Sequence, residues 1–306
     1  MGTVAEADLE LLLLIRAFET KLLDLFAKGE IPGTTHTCLG QEYIPVALHT
    51  EISADWLFTN HRSHGHYLAR FGDCHGLLAE IMGREGGVCR GVGGSQHIFR
   101  GRYLSTGVQG ENVPVAVGAA LSAKRSEPGT IAVVDIGDGT WGQGAVYEAL
   151  NMASLWQLPL LVIVENNGIA QSTPTAAHLA GSIAARAAAF GIDYQLVTGS
   201  DVAAIRALLA PLILGVRTRS RPLVVEFQTV RLGPHSKGDD TRGQPDLDAL
   251  LKQDWALRYA AMEPDRFAAA AARQNALIEG VAEEIETRPP ASWVPPLEPA
   301  PFDRKA

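Results

Sequence analysis

The sequence is poor in cysteine and in long hydrophobic runs, and each shortage excludes a class of protein. Its 306 residues contain three cysteines, Cys38, Cys74 and Cys89, without a C-x-x-C pair. This spacing indicates neither a disulfide framework nor a zinc knuckle, so we expect a reducing, cytoplasmic location. No apolar run reaches the ~20 residues of a membrane span, and the first residues do not resemble a secretion signal. We therefore expect no membrane partner.

The sequence also lacks an excess of basic residues. It has 26 Lys and Arg against 34 Asp and Glu, a formal net charge of -8. This balance argues against a nucleic-acid partner, because such proteins carry a broad basic surface. A phosphate ligand would have to be bound by local groups. With 46% hydrophobic and 20% charged residues, the composition is that of a folded globular protein.

What the sequence does contain is an alternation of apolar runs and helix-like segments. Strands are predicted at 130–136, 159–166, 193–199 and 222–233, and helices at 5–29, 113–125, 143–158, 180–191, 201–218 and 246–287. Continuous apolar strands alternating with helices predict an α/β fold, with a mostly parallel sheet and helices on both faces.

We find no linker that would divide the chain, and we treat residues 1–306 as a single domain. Two segments differ from the rest in composition. Residues 31–106 are rich in Gly and His and predict a long ordered loop region, which in compact domains is often functional. Residues 288–306 form a Pro-rich tail that we expect to be extended.

A glycine turn, "GDGTWG" at 137–142, follows one predicted strand and precedes a helix. Its G-x-G-x-x-G spacing is typical of dinucleotide sites, with Glu165 as the ribose partner. However, the carboxylate of Asp138 would repel a pyrophosphate unless a cation lay between them. Asn167 ends the neighbouring strand at the same sheet edge, and Mg²⁺ prefers such oxygen ligands. The residues therefore favour a magnesium-diphosphate site, with a nicotinamide-dependent oxidoreductase as the alternative.

The glycine turn and the segment "EALNMASLWQLPLLVIVENN" (148–167) together resemble the thiamine-diphosphate signature of one family. It is the alpha subunit of the two-chain 2-oxo acid dehydrogenase first component, which includes pyruvate, branched-chain and acetoin dehydrogenases. Further segments occur in the family's order: 36–42, 60–70, 93–99, 107–121 and 231–240. The resemblance implies a thiamine-diphosphate-binding fold and the cofactors thiamine diphosphate and Mg²⁺.

The resemblance also implies roles for individual residues. Asp138 and Asn167 would bind Mg²⁺ through their side chains, and Ile169 would bind it through its carbonyl oxygen. The other implied cofactor contacts are His61, Arg62, Gly139 and Thr140 at the diphosphate, Gly107 and Gln109 at the aminopyrimidine ring, and His235 in the loop that covers the cofactor.

Three histidines are candidate catalytic residues by the same resemblance. His36 matches a histidine near the substrate, His235 matches one that assists acyl transfer, and His64 matches one that organises the loop. Ser236 aligns with a site that is phosphorylated in some relatives, and we do not expect that regulation here.

The sequence departs from the family's pattern at three positions. His61 stands where the family has Tyr, Gly142 where it has Asn, and Ile169 where it often has Tyr. Because histidine changes charge near neutral pH, His61 could make cofactor binding weaker or sensitive to pH. Ile169 matters little if only its carbonyl oxygen is used.

The implied function is the decarboxylation of a 2-oxo acid, or the cleavage of acetoin, with transfer of the acyl unit to a lipoyl-bearing acyltransferase component. In this family a beta subunit supplies the glutamate that activates the cofactor, so we expect an α2β2 heterotetramer and no activity from this chain alone. Two further interpretations stay open. One is a split transferase of the acyloin-forming or transketolase-like type, and the other is a non-catalytic scaffold subunit.

Overall fold

The computed structural model describes residues 4–236 and 240–292, so most of the predicted Pro-rich tail 288–306 lies outside the described residues. The strands are β1 (Trp56–Thr59), β2 (Phe99–Arg100), β3 (Tyr103–Ser105), β4 (Ala132–Gly137), β5 (Leu160–Asn166), β6 (Ile169–Ala170), β7 (Thr173–Pro174), β8 (Asp193–Thr198) and β9 (Leu223–Gln228). The helices are α1 (Glu6–Ala27), α2 (Tyr43–Ile52), α3 (His64–Phe71), α4 (Cys74–Ile81), α5 (Asn112–Ser126), α6 (Gly144–Leu155), α7 (Thr175–His178), α8 (Ile183–Ala189), α9 (Val202–Arg219), α10 (Gln244–Leu251), α11 (Trp255–Met262) and α12 (Pro264–Thr287), with a 3-10 turn at Asp138–Gly142.

Seven strands form one sheet in the order β2-β3-β1-β4-β5-β9-β8. Every neighbouring pair is parallel except β2 and β3 at one edge. In the central strands, alternate side chains enter two apolar clusters. Val133 and Leu161 join one cluster, whereas Val134 and Val162 join the other. The predicted α/β fold with a mostly parallel, two-sided sheet is confirmed.

The segment 31–106, which the sequence analysis described as a loop region, is different. It contains α2, α3, α4 and the strands β1 to β3. These elements are two to ten residues long, and Gly and His interrupt them, so no sustained hydrophobic period reveals them. β1 is nevertheless an interior strand, between β3 and β4.

The glycine-rich chain between α4 and β2 is organised around one carboxylate. Glu80 is fully buried. Its two oxygens accept backbone N–H groups from Cys89 at 2.7 Å, Gly91 at 2.8 Å, Gly93 at 2.7 Å and Gly94 at 3.2 Å. We call this arrangement the Glu80 network. It fixes a segment that has almost no regular secondary structure.

The C-terminal part is helical, as predicted over 246–287. Three helices occur there, α10, α11 and α12. Asp254 begins α11 by accepting the N–H of Ala256 at 3.1 Å, and Pro264 begins α12. Among the described helices, none has the length and apolar character that crossing a bilayer requires.

The last helix, α12, returns to the beginning of the chain and packs along α1. Lys21 and Glu279 pair at 2.5 Å, and Arg273 pairs with Glu10. Apolar residues of both helices, including Leu22 and Ile278, enter the same cluster on one face of the sheet.

Candidate active site

A cavity of about 290 Å³ lies at the carboxyl ends of the central parallel strands. This position is expected, because ligands of open α/β sheets bind outside the strands' carboxyl ends. Nine of the ten residues with an implied cofactor contact line this cavity: His61, Arg62, Gln109, Asp138, Gly139, Thr140, Asn167, Ile169 and His235.

Asp138 is the first residue after β4 and is 2% exposed. The hydroxyl of Thr175 donates to its Oδ2. Burial raises the pKa of Asp138, although the Thr175 hydrogen bond opposes the shift. The groups around Asp138 therefore compensate only part of the loss of solvation, and a bound cation would supply the rest.

Asn167 and Ile169 line the same cavity as Asp138. Asn167 follows β5, and its Oδ1 accepts the N–H of Ile169 at 3.3 Å. Ile169 begins β6, which packs against the turn that contains Gly139. A Cβ on Gly139 would lie 2.6 Å from the Cβ of Ala170, so glycine is required for this close approach. A carboxylate, an amide oxygen and a carbonyl oxygen form a set that suits Mg²⁺.

The cationic side of the cavity carries two arginines. Arg62 is 5% exposed, and its guanidinium donates to the carbonyl oxygens of Thr37 at 2.7 Å and His235 at 3.1 Å. Arg231 follows β9 and is 2% exposed. Burial and the charge of Arg231 lower the pKa of Arg62 to about 10, so it stays protonated at neutral pH. Two buried like charges destabilise each other, and an anion such as a diphosphate would relieve this repulsion.

A chain of hydrogen bonds joins Thr140, Gln109 and His61. The Thr140 hydroxyl donates to Gln109 Oε1 at 3.0 Å, and Gln109 Nε2 donates to His61 Nδ1 at 2.7 Å. The carbonyl oxygen of Gly107 also accepts from Gln109, at 3.4 Å, which places Gly107 beside the cavity without lining it. Since Nδ1 of His61 accepts, its Nε2 carries the proton.

His61 does not behave as a charge switch near neutral pH. Burial, together with the charge of Arg62, lowers its pKa well below the usual value. The imidazole is therefore uncharged at pH 7, and the pH sensitivity that we expected from this departure is not supported near neutrality.

Three histidine rings meet at the cavity. The ring of His36 lies 4.5 Å from that of His61 and 4.8 Å from that of His235, centroid to centroid. Gln96 Nε2 lies 3.2 Å from Nδ1 of His36. His36 does not itself line the cavity, but it contacts two histidines that do.

His64 lies away from the cavity and is fully buried. Its Nδ1 lies 3.1 Å from a carboxylate oxygen of Glu19, and its Nε2 lies 2.9 Å from the hydroxyl of Ser95. These contacts join α1 to the glycine-rich segment. They are those of a residue that organises the loop, and any direct catalytic role of His64 stays a prediction.

Below the cavity, the sheet buries two acidic residues on neighbouring strands. Asp135 in β4 accepts from Asn60 Nδ2 at 2.8 Å, and Asn60 Oδ1 accepts the backbone N–H of Arg62 at 2.7 Å. Burial and the charge of Glu165 in β5 raise the pKa of Asp135 well above its usual value. Through Asn60, Asp135 fixes the turn that carries Arg62.

Sequence reasoning missed several residues that the fold brings to the cavity, above all Arg231, Gln41 and Asn60. Arg231 could have been found by the rule that identified Asp138, since it follows an apolar strand at the same sheet edge. All three residues lie within segments that match the family, at 36–42, 60–70 and 231–240, but only the fold shows their neighbours. Glu165, the ribose partner in the dinucleotide interpretation, is 3% exposed and accepts a hydrogen bond from Gln41.

The family described as dehydrogenase E1 component matches residues 10–288 of this chain. The chain belongs to the dehydrogenase E1 component family. It is 37% identical over 230 residues to the alpha subunit of acetoin:2,6-dichlorophenolindophenol oxidoreductase of Bacillus subtilis, covering 74% of this chain and 69% of the relative. The pyruvate dehydrogenase E1 component alpha subunits of Zymomonas mobilis and Rhizobium meliloti are both 36% identical, covering 76% and 79% of this chain and 67% and 73% of theirs.

These similarities confirm the family predicted from the sequence and, with it, a thiamine-diphosphate-binding fold. The E1 chain is the alpha subunit of a 2-oxo acid dehydrogenase that depends on thiamine diphosphate and Mg²⁺. Membership also indicates a beta subunit as partner and a 2-oxo acid as substrate. Membership of this family favours the magnesium-diphosphate interpretation of the glycine turn over the dinucleotide interpretation.

Proposed function

We propose that this E1 chain assembles with its beta subunit as an α2β2 heterotetramer and binds magnesium thiamine diphosphate in the cavity at the strand ends. The complex would decarboxylate a 2-oxo acid, or cleave acetoin, and pass the acyl unit to a lipoyl-bearing acyltransferase component. One observation carries this proposal. Asp138, Asn167 and Ile169 line one cavity together with two buried arginines.

The metal would be held by Asp138, Asn167 and the carbonyl oxygen of Ile169. Asp138 and Asn167 follow two strands of the seven-stranded sheet, and Ile169 begins β6, which pairs with β7. Separate strands thus fix the three residues, which supports this role. The cation would also stabilise the ionised form of Asp138, whose pKa burial now raises.

The diphosphate would lie between this metal and the arginines. Arg62 would bind it as a charged donor, with Gly139 and Thr140 lining the turn. His61 would donate its Nε2 proton, because Gln109 occupies its Nδ1. Gly107 and Gln109 would meet the aminopyrimidine ring.

Bound thiamine diphosphate supplies a carbanion nucleophile and an electron sink for decarboxylation. The residues of this chain would orient the substrate and hold protons. Arg62 donates to Nδ1 of His235 at 3.1 Å, so Nε2 of that ring holds the proton. His36 and His235, in ring contact, would then serve as the proton carriers of acyl transfer.

Production of the alpha and beta chains separately and together tests this assignment. We expect decarboxylation of pyruvate, of a branched 2-oxo acid or of acetoin, followed with a dye acceptor, only when both chains are present. Full activity of the alpha chain alone would contradict the need for a beta subunit. A lipoyl domain that becomes acylated during turnover would identify the acceptor, whereas product formation only with an added aldehyde would favour the transferase alternative.

A further inference from the structure

Gln41 is completely buried between the sheet and the cavity. Its side-chain amide bridges two residues on β5 and just beyond it. Nε2 of Gln41 donates to Oε2 of Glu165, and Oε1 of Gln41 accepts from Nδ2 of Asn167 at 3.1 Å. Both ends of the amide therefore have a partner within the protein.

The order of donors and acceptors along this bridge determines the orientation of Asn167. A carboxylate can only accept hydrogen bonds, so Glu165 requires the NH₂ end of Gln41. The oxygen end of Gln41 must then face Asn167, and it requires the NH₂ end of that residue. The amide oxygen of Asn167, a residue that lines the cavity, then accepts the N–H of Ile169 at 3.3 Å and keeps a second lone pair for a cation.

The backbone around Gln41 is itself fixed. The N–H of Gln41 donates to the carbonyl oxygen of Cys38 at 2.8 Å. The N–H of Leu232, in the neighbouring loop, donates to the carbonyl oxygen of Leu39 at 3.0 Å. Gly40 has φ +95°, and a Cβ there would lie 2.4 Å from the carbonyl oxygen of Val230. The side chain of Gln41 thus starts from a rigid turn.

We propose that Gln41 is a positioning residue for the metal, because it makes Asn167 present oxygen rather than NH₂ to the cation. The inference rests on the proposed function of Asn167 as a Mg²⁺ ligand. Without Gln41 the amide of Asn167 can rotate, and its NH₂ end would repel the metal. Only the N–H of Ile169, at 3.3 Å from Oδ1, would still favour the correct orientation.

The test uses the alpha–beta complex with saturating thiamine diphosphate. The variant Gln41→Met keeps the length of the side chain and removes both hydrogen bonds. We expect its Mg²⁺ dissociation constant, measured by calorimetry, to rise about 10- to 100-fold, the usual loss when a group that orients a ligand is removed. With Mn²⁺ as the probe, water-proton relaxation should show one more bound water, because Asn167 no longer supplies its oxygen.

Glu165→Gln is the second variant. A glutamine at position 165 can donate or accept a hydrogen bond, so it no longer determines which end of the Gln41 amide faces it. We expect a smaller rise of the Mg²⁺ dissociation constant than in Gln41→Met. The matched control is Gln274→Met, which removes a glutamine that donates to Glu10 between α12 and α1, and it should leave both measurements unchanged.

Unchanged Mg²⁺ affinity and water count in the folded Gln41→Met or Glu165→Gln complex would overturn the inference. In that case Asp138→Asn distinguishes an error in the role of Gln41 from an error in the proposed function. If Asp138→Asn still loses the metal, the proposed function stands without the role of Gln41. If the unaltered complex does not bind magnesium thiamine diphosphate, the proposed function itself is wrong.

Discussion

Asp138 and Glu80 are both buried carboxylates in glycine-rich segments, but their surroundings differ. Glu80 accepts four backbone N–H groups, two on each oxygen. Asp138 accepts a hydrogen bond from the hydroxyl of Thr175 and lines the cavity. Glu80 is satisfied within the protein, whereas Asp138 has a raised pKa because burial is incompletely compensated.

The difference separates a structural carboxylate from a ligand. Backbone N–H groups stabilise the charge of Glu80 and in return fix the chain around it. A carboxylate that binds a cation must keep some oxygen lone pairs free of hydrogen bonds. In the cation-free protein, its ionised form is therefore less stable. Burial alone does not distinguish the two, but the number and kind of donors does.

The largest effect should follow from Asp138→Asn. We expect Mg²⁺ and thiamine diphosphate binding by the alpha–beta complex to fall by more than the roughly 10- to 100-fold typical of an outer-shell substitution, because a direct charged ligand is lost. Calorimetry measures the affinity, and the dye assay measures the activity. Retained activity would support the scaffold interpretation and remove Asp138 from the metal site.

The same variant should stabilise the cofactor-free alpha chain. The pKa of Asp138 is raised in the folded state above its usual 3.8, so the folded chain binds more protons than the unfolded chain in the interval above that value. Stability of the unaltered chain therefore falls as the pH rises through this interval. Thermal unfolding across pH should show Asp138→Asn gaining stability relative to the unaltered chain as the pH rises.

Arg62→Lys should have the next largest effect. A lysine keeps one positive charge but cannot donate to Thr37 and His235 together as the guanidinium does. Loss of a charged hydrogen bond costs about 1.5–3 kcal/mol, so we expect thiamine diphosphate to bind about 10- to 100-fold more weakly in a fluorescence titration. Arg102→Lys, at a half-buried ion pair with Glu127 away from the cavity, is the control and should leave thiamine diphosphate binding unchanged.

Glu80→Gln tests the structural side of the comparison. An amide presents an NH₂ group where a carboxylate oxygen accepted two N–H groups, so two backbone donors of the Glu80 network lose their acceptor. We expect the free energy of unfolding in urea to fall by about 1–3 kcal/mol. The Mg²⁺ affinity of the folded complex should stay the same, and a selective loss of metal binding would contradict the separation of the two carboxylates.

The smallest effect is expected for His61→Gln. Burial lowers the pKa of His61 below 6.5 in the folded chain, so its neutral form contributes stability that is lost as the pH falls through 6.5 toward the lowered value. The variant should therefore lose less stability on acidification than the unaltered chain. At neutral pH and above, thiamine diphosphate affinity should show no pH dependence from this residue, and a clear step near pH 6.5 would contradict its lowered pKa.

The sequence predicted those parts of the site that depend on strand ends. Asp138 and Asn167 were placed together because each follows a continuous apolar strand, and parallel strands end at one edge. Arg231 satisfies the same rule but was not identified, since the strand predicted over 222–233 included it, whereas β9 ends at Gln228. Because the predicted strand ended five residues too late, Arg231 was not placed at the edge of the sheet.

Long-range contacts set the limit of prediction elsewhere. β1 has only four residues, and its place inside the sheet depends on pairing with β3 and β4. The partners of Glu80 are backbone groups 9 to 14 residues away, in a segment without periodicity. Gln41 meets Glu165 and Asn167 across more than 120 residues. No local pattern encodes such pairings.

The packing of α12 on α1 has a consequence for the synthesis of the chain. Arg273 and Glu10 are 263 residues apart in sequence, so the part of α1 that packs against α12 stays uncovered until nearly the whole described chain has left the ribosome. Contacts of such long separation slow folding and leave hydrophobic surface exposed to aggregation or chaperones in the meantime. A chain that stops before residue 264 would lack α12, and the surface of α1 that α12 covers would stay exposed even if the cavity were intact.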